Sequence, residues 1–187
     1  MEFFEEKFTQ INFVQEGFQR ADYENCVFQN CQMQALDLRQ SKFINCEFDS
    51  CDMTNVQLLN TSFQEVYFVN CKLVGFPFQN ANPFLFEVKF EKCNLRLASF
   101  YKQNIKKTTF SESKLEEVDF SEANLMGSSF KECALNGAIF DRTNLEKVDF
   151  STSFGIAFDP EKNQIKKAKF SKENVVGLLQ KYNIEIS

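Results

Sequence analysis

Seven cysteines, no histidine and a few adjacent acids are the groups of this chain that could do chemistry. Cys26, Cys31, Cys46, Cys51, Cys71, Cys93 and Cys133 would suffice for a zinc site or a disulfide framework. Their spacing argues against both. Cys31, Cys51 and Cys71 are twenty residues apart, as are Cys26 and Cys46. Such a series makes columns, whereas zinc needs a tetrahedron, and no imidazole is present to complete one. Thiols stacked in a column have parallel Cβ vectors, poorly aimed for a bridge. They read as reduced core residues. Glu116 and Glu117 could pair as acid and base. Yet there is no histidine for general base work, no G-x-S-x-G and no phosphate-cradling loop. The expectation is a protein without catalysis, metal or other cofactor.

The elements that place these groups follow from one period. From Phe90 to Phe150 every fifth residue is large and apolar: Phe90, Leu95, Phe100, Ile105, Phe110, Leu115, Phe120, Leu125, Phe130, Leu135, Phe140, Leu145 and Phe150. Two residues before each stands a small or β-branched residue, with Gln103 as the exception. All seven cysteines occupy this slot. On an α-helix residues five apart are about 140° apart and make no stripe. On a flat strand an odd period changes face at each step. The pattern works only if the chain bends once per five residues, with the central residue and the one two before it inward. Residues 1–80 carry the same repeat, centred on Phe3 and every fifth residue through Phe78. Asn25, Asn30, Asn45, Asn55, Asn60, Asn70 and Asn80 follow two places after a centre and read as corner residues, since Asn tolerates left-handed backbone. Glu6, Ile11 and Glu16 in the small slot predict an imperfect first coil.

Ala123-Asn124-Leu125, Thr143-Asn144-Leu145, Cys93-Asn94-Leu95 and Val118-Asp119-Phe120 resemble the A(D/N)LXX consensus of pentapeptide repeat proteins. The resemblance covers residues 3–150. It implies an all-β fold, a right-handed quadrilateral β-helix solenoid with four pentapeptides to a coil. Coils would stack at about 4.8 Å, the spacing of neighbouring strands. About seven coils are expected. In the Phe90–Phe150 stretch Phe would line two opposite faces and Leu or Ile the other two.

The predicted division is a β-helix over 1–150 and a C-terminal segment over 151–187. Residues 79–84 break the register, because Phe78 to Leu85 is seven residues rather than five. After Phe150 the repeat ends. Residues 154–158 and 164–170 predict a hairpin joined by Asp159–Asn163. Ser171 predicts a helix cap, with a helix from Lys172 to Tyr182 and a short returning strand at Ile184-Glu185-Ile186. On that helix Val175, Leu178, Leu179 and Tyr182 share one face. It can cap the open end of the solenoid, form a dimer contact, or both. Capping is the first reading; the resemblance raises the dimer, since quinolone-resistance members of the family associate through this end. No apolar run reaches 18 residues and the N-terminus does not look like a signal peptide, so a soluble cytoplasmic protein is expected.

Charge is the remaining clue. The net charge of −5 is uneven: residues 1–80 carry eleven acids against five bases, and 111–150 nine against four. Between them lies a basic belt of Lys89, Lys92, Arg96, Lys102, Lys106 and Lys107. Glu112, Glu116, Glu117, Asp119 and Glu122 are the candidate partner-binding acidic face. Charged residues can merely solvate outward positions, or steer a partner of opposite sign. The quinolone-resistance and microcin-immunity branch, which Phe158-Asp159-Pro160-Glu161 and Asn163 also resemble, implies the second. Its members mimic duplex DNA and engage type II topoisomerases, DNA gyrase or topoisomerase IV. A scaffold for an unrelated protein partner is the alternative. Direct nucleic-acid binding is disfavoured, because no aromatic residues interleave with the lysines. The inward assignment has a direct test. Phe120→Ala should cost about 3–5 kcal/mol by opening a cavity; an unchanged denaturation midpoint would show that the ring is not in the core.

Overall fold

A chain with a large apolar residue at every fifth position buries them all only by turning a corner between each. The computed structural model, which describes residues 1–185, does this along nearly its whole length. It is a right-handed pentapeptide-repeat β-solenoid with a short helical element at its C-terminal end. Each coil has four sides. On the first, Glu2–Phe4, Asp22–Glu24, Lys42–Ile44 and Ser62–Gln64 form a parallel sheet. On the second, seven strands do so: Lys7–Thr9, Val27–Gln29, Glu47–Asp49, Val66–Val69, Val88–Glu91, Thr109–Ser111 and Ser129–Lys131. The other sides pair through isolated parallel bridges, such as Gln32 with Asp52 and Asp119 with Ile139. Backbone bonds run along the axis: the Met53 amide donates to Lys72 at 2.9 Å and the Asp52 amide to Cys31 at 3.1 Å.

Closing each coil takes left-handed residues at the corners. Asn25, Asn30, Asn45, Asn55, Asn60 and Asn70 take φ between 48° and 57°. Asn80 does not; it ends a 3-10 turn, Phe78–Asn80. Later corners belong to Lys92, Lys102, Lys107, Glu112, Glu117 and Glu122, all at positive φ. The first coil is irregular, as its sequence predicts. The Asn12 side chain caps a single helical turn, Phe13–Glu16, by accepting from Val14 and Gln15.

The bore is filled by stacked rings. On the second side Phe8, Phe28, Phe48, Phe68, Phe90, Phe110, Phe130, Phe150 and Phe170 form an unbroken column with centroids 4.7–5.4 Å apart. Its partner column changes side. In the first half it is on the adjacent side, Phe3, Tyr23, Phe43 and Phe63; in the second it is opposite, Phe78, Phe100, Phe120 and Phe140. The handover coincides with the register break. Phe76 enters the bore from a slot that elsewhere holds a small residue, and packs 4.3 Å from Phe78. The inserted residues give the backbone length to pass around this extra ring. Leu85 does not hold the central place that spacing assigns it: it is 62% exposed at φ 53°, and Phe86 turns inward against Phe63 and Phe78. Gln103 breaks the small-slot rule for a related reason. It is buried, and its amide donates to the carbonyls of Phe78 at 2.8 Å and Ala81 at 3.4 Å, which the insertion takes out of the ladder.

All seven cysteines are free and buried. Six of the thiols share a task with Ser and Thr of the same slot, donating to a carbonyl of the preceding coil, while Cys133 donates to Lys131 at 3.3 Å. Cys51 reaches Phe28 at 3.3 Å, Cys71 reaches Phe48 at 3.2 Å, and Thr143 reaches Phe120 at 2.9 Å. Burial pushes the pKa values of Cys46 and Cys133 up to about 12, so neither is a thiolate at neutral pH.

No hairpin follows Phe150. Phe154, Gln164 and Lys169 pair in parallel with Ala134, Asn144 and Asp149 of the coil before. The solenoid thus continues to Phe170, so that the second side has nine rungs rather than about seven. The five-residue spacing lapses there, but the twenty-residue coil persists because the backbone ladder fixes it. Gly155 lets the coil pass Asn136, whose side chain lies 2.5 Å from where a Cβ would be.

The C-terminal element is a 3-10 helix, Val175–Tyr182, and not the α-helix from Lys172 that spacing predicts. Ser171 does cap its approach, accepting from the Asn174 amide at 3.1 Å. Gly177 lies directly on the Ile156 carbonyl, where any side chain would collide. Asn174 pins the helix by donating to Phe150 at 2.6 Å and Ser153 at 3.1 Å. Lys181 sits between Asp159 at 2.7 Å and Glu161 at 2.8 Å. Ile184 and Glu185 form no strand, and Ile186 lies outside the described residues.

These contacts make two predictions. Gln103→Ala should cost about 1–3 kcal/mol in chemical denaturation, by leaving the Ala81 carbonyl without a donor and the Phe78 carbonyl with only the Ala81 amide; a smaller loss would mean the insertion is held otherwise. The second concerns pH. Lys181 holds Asp159 and Glu161 below the usual carboxyl range, and is itself raised by them. The depressed carboxyls stabilise the cap above about pH 4 and lose that contribution as pH falls through their lowered values. The raised Lys181 contributes below about pH 10 and is lost above its own raised value. Hydrogen exchange across 175–182, corrected for intrinsic rates, should therefore quicken at about pH 3; equal protection at neutral and acid pH would show that this ion pair does not hold the cap.

Candidate partner-binding surface

In a solenoid an outward side chain has as neighbours the residues about twenty before and after it. This rule decides what the candidate acidic residues can do. Glu112 and Glu122 lie at different corners and both meet bases. Glu112 is 3.8 Å from Lys92. Glu122 lies between Lys102 at 3.5 Å and Arg142 at 3.0 Å, and accepts from the Tyr101 hydroxyl at 3.2 Å. The other three come together. Glu116, Glu117 and Asp119 wrap one corner between the third and fourth sides, and among the described residues none has a base within 4.0 Å. Glu117 is exposed, with Glu116 and Asp119 half-buried. Asp119 turns one oxygen to the Ser121 amide at 2.8 Å, while one Glu116 oxygen is enclosed without a partner. The predicted five-residue face is thus a three-residue corner flanked by neutralised acids.

The columns also divide the basic belt. Lys92 and Lys102 are spent on Glu112 and Glu122, and Lys89 reaches Glu87 at 4.0 Å. Arg96, Lys106 and Lys107 have no acid partner among the described residues. Sequence reading missed this neutralisation, though its signal was present. Lys102, Glu122 and Arg142 alternate in sign at twenty-residue steps, as do Asp52 with Lys72 and Asp149 with Lys169, each at 3.2 Å.

The four candidate cap residues do not share one face. In a 3-10 helix positions three apart eclipse, so Val175, Leu178 and Lys181 form one ridge and Val176, Leu179 and Tyr182 another. Leu178 is buried against the last coil. Val175, Leu179 and Tyr182 are exposed, and Leu179 lines a shallow groove with Ile184.

Among the described residues no group of three or more His, Cys, Asp or Glu is placed to hold a metal ion. Among the described residues no helix is long and apolar enough to cross a membrane.

A search of the curated proteins finds no match. In shape the chain resembles QnrB1, a plasmid-mediated fluoroquinolone resistance protein. The full-length structure aligns over 98% of this chain and 100% of its own at 16% identity, with a TM-score of 0.51. A trypsin-treated variant of QnrB1 aligns over 100% of both chains at 18% identity, with a TM-score of 0.56. HetL, a pentapeptide repeat protein involved in heterocyst differentiation regulation from the cyanobacterium Nostoc sp., aligns over 91% of this chain and 86% of its own at 15% identity, with a TM-score of 0.43. At these identities the likeness is one of fold. The family description "Pentapeptide repeat region" matches residues 1–78, 41–117 and 83–170, which together span nearly every coil. The chain belongs to the pentapeptide repeat proteins.

Proposed function

We propose that this protein is a non-catalytic binding rod whose partner is a DNA-handling protein, with type II topoisomerase, DNA gyrase or topoisomerase IV, as the specific candidate. The observation that carries the reading is the base-free corner of Glu116, Glu117 and Asp119. It stands near mid-length on a stiff convex surface, where carboxylates can take the place of phosphates at a cationic groove. Membership of the pentapeptide repeat family supports the binding role, and the likeness in fold to QnrB1 supports the choice of partner. The neutralised Glu112 and Glu122 narrow the contact to this corner. A scaffold for an unrelated protein remains the second reading, favoured by the small extent of free acid. At the C-terminal end, exposed Leu179 and Tyr182 fit a contact between two copies.

The test is a supercoiling assay with purified gyrase, with and without a fluoroquinolone, across a range of salt. The reading expects inhibition, or rescue from the drug, that weakens as salt rises. The triple variant Glu116→Lys, Glu117→Lys, Asp119→Lys should abolish the effect while the solenoid stays folded, at a cost of about 1 kcal/mol for the lost Asp119 bond to the Ser121 amide. No effect of the native protein on gyrase would move the weight to the scaffold reading. An effect that survives the triple reversal would exclude this corner as the contact.

A further inference from the structure

The first side of the solenoid is electrically divided along its length. In its first half it carries Glu2, Glu5, Asp22, Glu24 and Glu65 against the one base Lys42. In its second half it carries Lys106, Lys107, Lys147, Lys166 and Lys167 against the one acid Glu146. None of these groups has an ion-pair partner within 4.0 Å among the described residues. On other sides several bases and acids neutralise one another between coils, as Lys72 does Asp52 and Lys169 does Asp149. Here each sign is collected at one end, which leaves two opposite fields on a single flat face.

We propose that this side is a lateral interface between two copies of the chain, packed antiparallel. The side has nine levels, from Phe3 to Ile165, and the fifth is Phe86 at the insertion. A two-fold axis in the contact plane at that level, perpendicular to the rods, exchanges the first level with the ninth and the fourth with the sixth. It keeps each residue on its own edge of the face. Glu5 then meets Lys167, and Glu65 meets Lys107. Ile44 meets Met126, both half-buried, and Asn25 meets Lys147. Glu24 and Glu146 are a like-charged pair, with Lys147 beside them; Glu87, at the fifth level, comes near its own symmetry mate, with Lys89 at 4.0 Å to offset it. A groove of about 430 Å³ lined by Asn45, Glu65, Val66, Tyr67, Glu87 and Lys89 gives room for the Lys107 side chain of the second copy.

The centre fits the same arrangement. Phe84 and Leu85, 68% and 62% exposed, stand at the level of the axis, where each would meet its own symmetry mate. An apolar centre with a charged rim is the usual layout of a specific interface. Three outward positions at each level come to roughly the 20–30 residues a side of a standard contact. Parallel packing would instead set acid on acid and lysine on lysine along the whole face. A nucleic-acid strand would find the lysines but also the carboxylates of the other half, with no aromatic platform. The isologous pairing uses both halves and closes at a dimer.

Sedimentation equilibrium of the full chain tests this independently of any topoisomerase. The native protein should form a dimer at low salt that weakens as salt is raised toward about 0.5 M. Lys107→Glu with Lys167→Glu should weaken it by about tenfold or more, and Glu5→Lys with Glu65→Lys should do the same. All four changes in one chain restore every pairing and should restore the dimer. Leu179→Asp, at the C-terminal end, should leave it intact. A monomer at all salts up to roughly 0.1 mM chain would overturn the proposal. So would a dimer that ignores the charge reversals or is lost with Leu179→Asp alone, and so would failure of the four-fold exchange to rescue association.

Discussion

The backbone hydrogen-bond ladder along the solenoid axis is the constraint on which the rest depends. It holds each residue against those one coil before and after, and so fixes coil length at twenty residues wherever no insertion intervenes. Ring stacking, thiol donation and charge pairing all inherit their geometry from it. Phe110 stacks on Phe90 at 5.1 Å and on Phe130 at 4.8 Å because their strands are in register. Each such aromatic contact adds about 0.5–1.5 kcal/mol beyond the area it buries. The column of rings therefore reinforces the register that created it.

The insertion shows how the ladder and the bore are reconciled. The aromatic column opposite the insertion is continuous, from Phe68 to Phe90 at 5.4 Å. Its companion column ends on one side at Phe63 and resumes on another at Phe78. Two arrangements of large and medium side chains thus fill one square bore, and a boundary between them needs extra volume. Phe76 and Phe86 supply the rings, two added residues supply backbone, and Gln103 supplies donors to the displaced carbonyls. The same two residues put Phe84 and Leu85 outside. A packing defect inside the bore therefore also makes a large apolar projection near the middle of the rod.

Surface charge follows the ladder as well. Where signs alternate from coil to coil, columns such as Lys102, Glu122 and Arg142 neutralise themselves. Exposed pairs of this kind contribute little stability, but they remove charge from any partner's view. Among the groups left unpaired are the corner of Glu116, Glu117 and Asp119 and the divided first side.

The sequence by itself determined which residues point inward away from the insertion, the fate of the cysteines and the asparagine corners of the first half. Those follow from a five-residue period that forces one bend per repeat, a local property carried by residue type. Only the tertiary structure decided where the solenoid ends, that Phe86 rather than Leu85 turns inward, and which acids are free. Past Phe150 the period lapses at Gly155, Ile156 and Phe158, yet the coil persists, because backbone groups pair by position and not by side chain. The C-terminal helix is 3-10 because it must seat Gly177 on the Ile156 carbonyl, a contact that periodicity in the helix does not contain. The acidic corner shrank from five residues to three because charge pairing acts between coils, across twenty residues of chain. Short-range pattern encodes the bend; the neighbours that the bend creates are a property of the stacked whole.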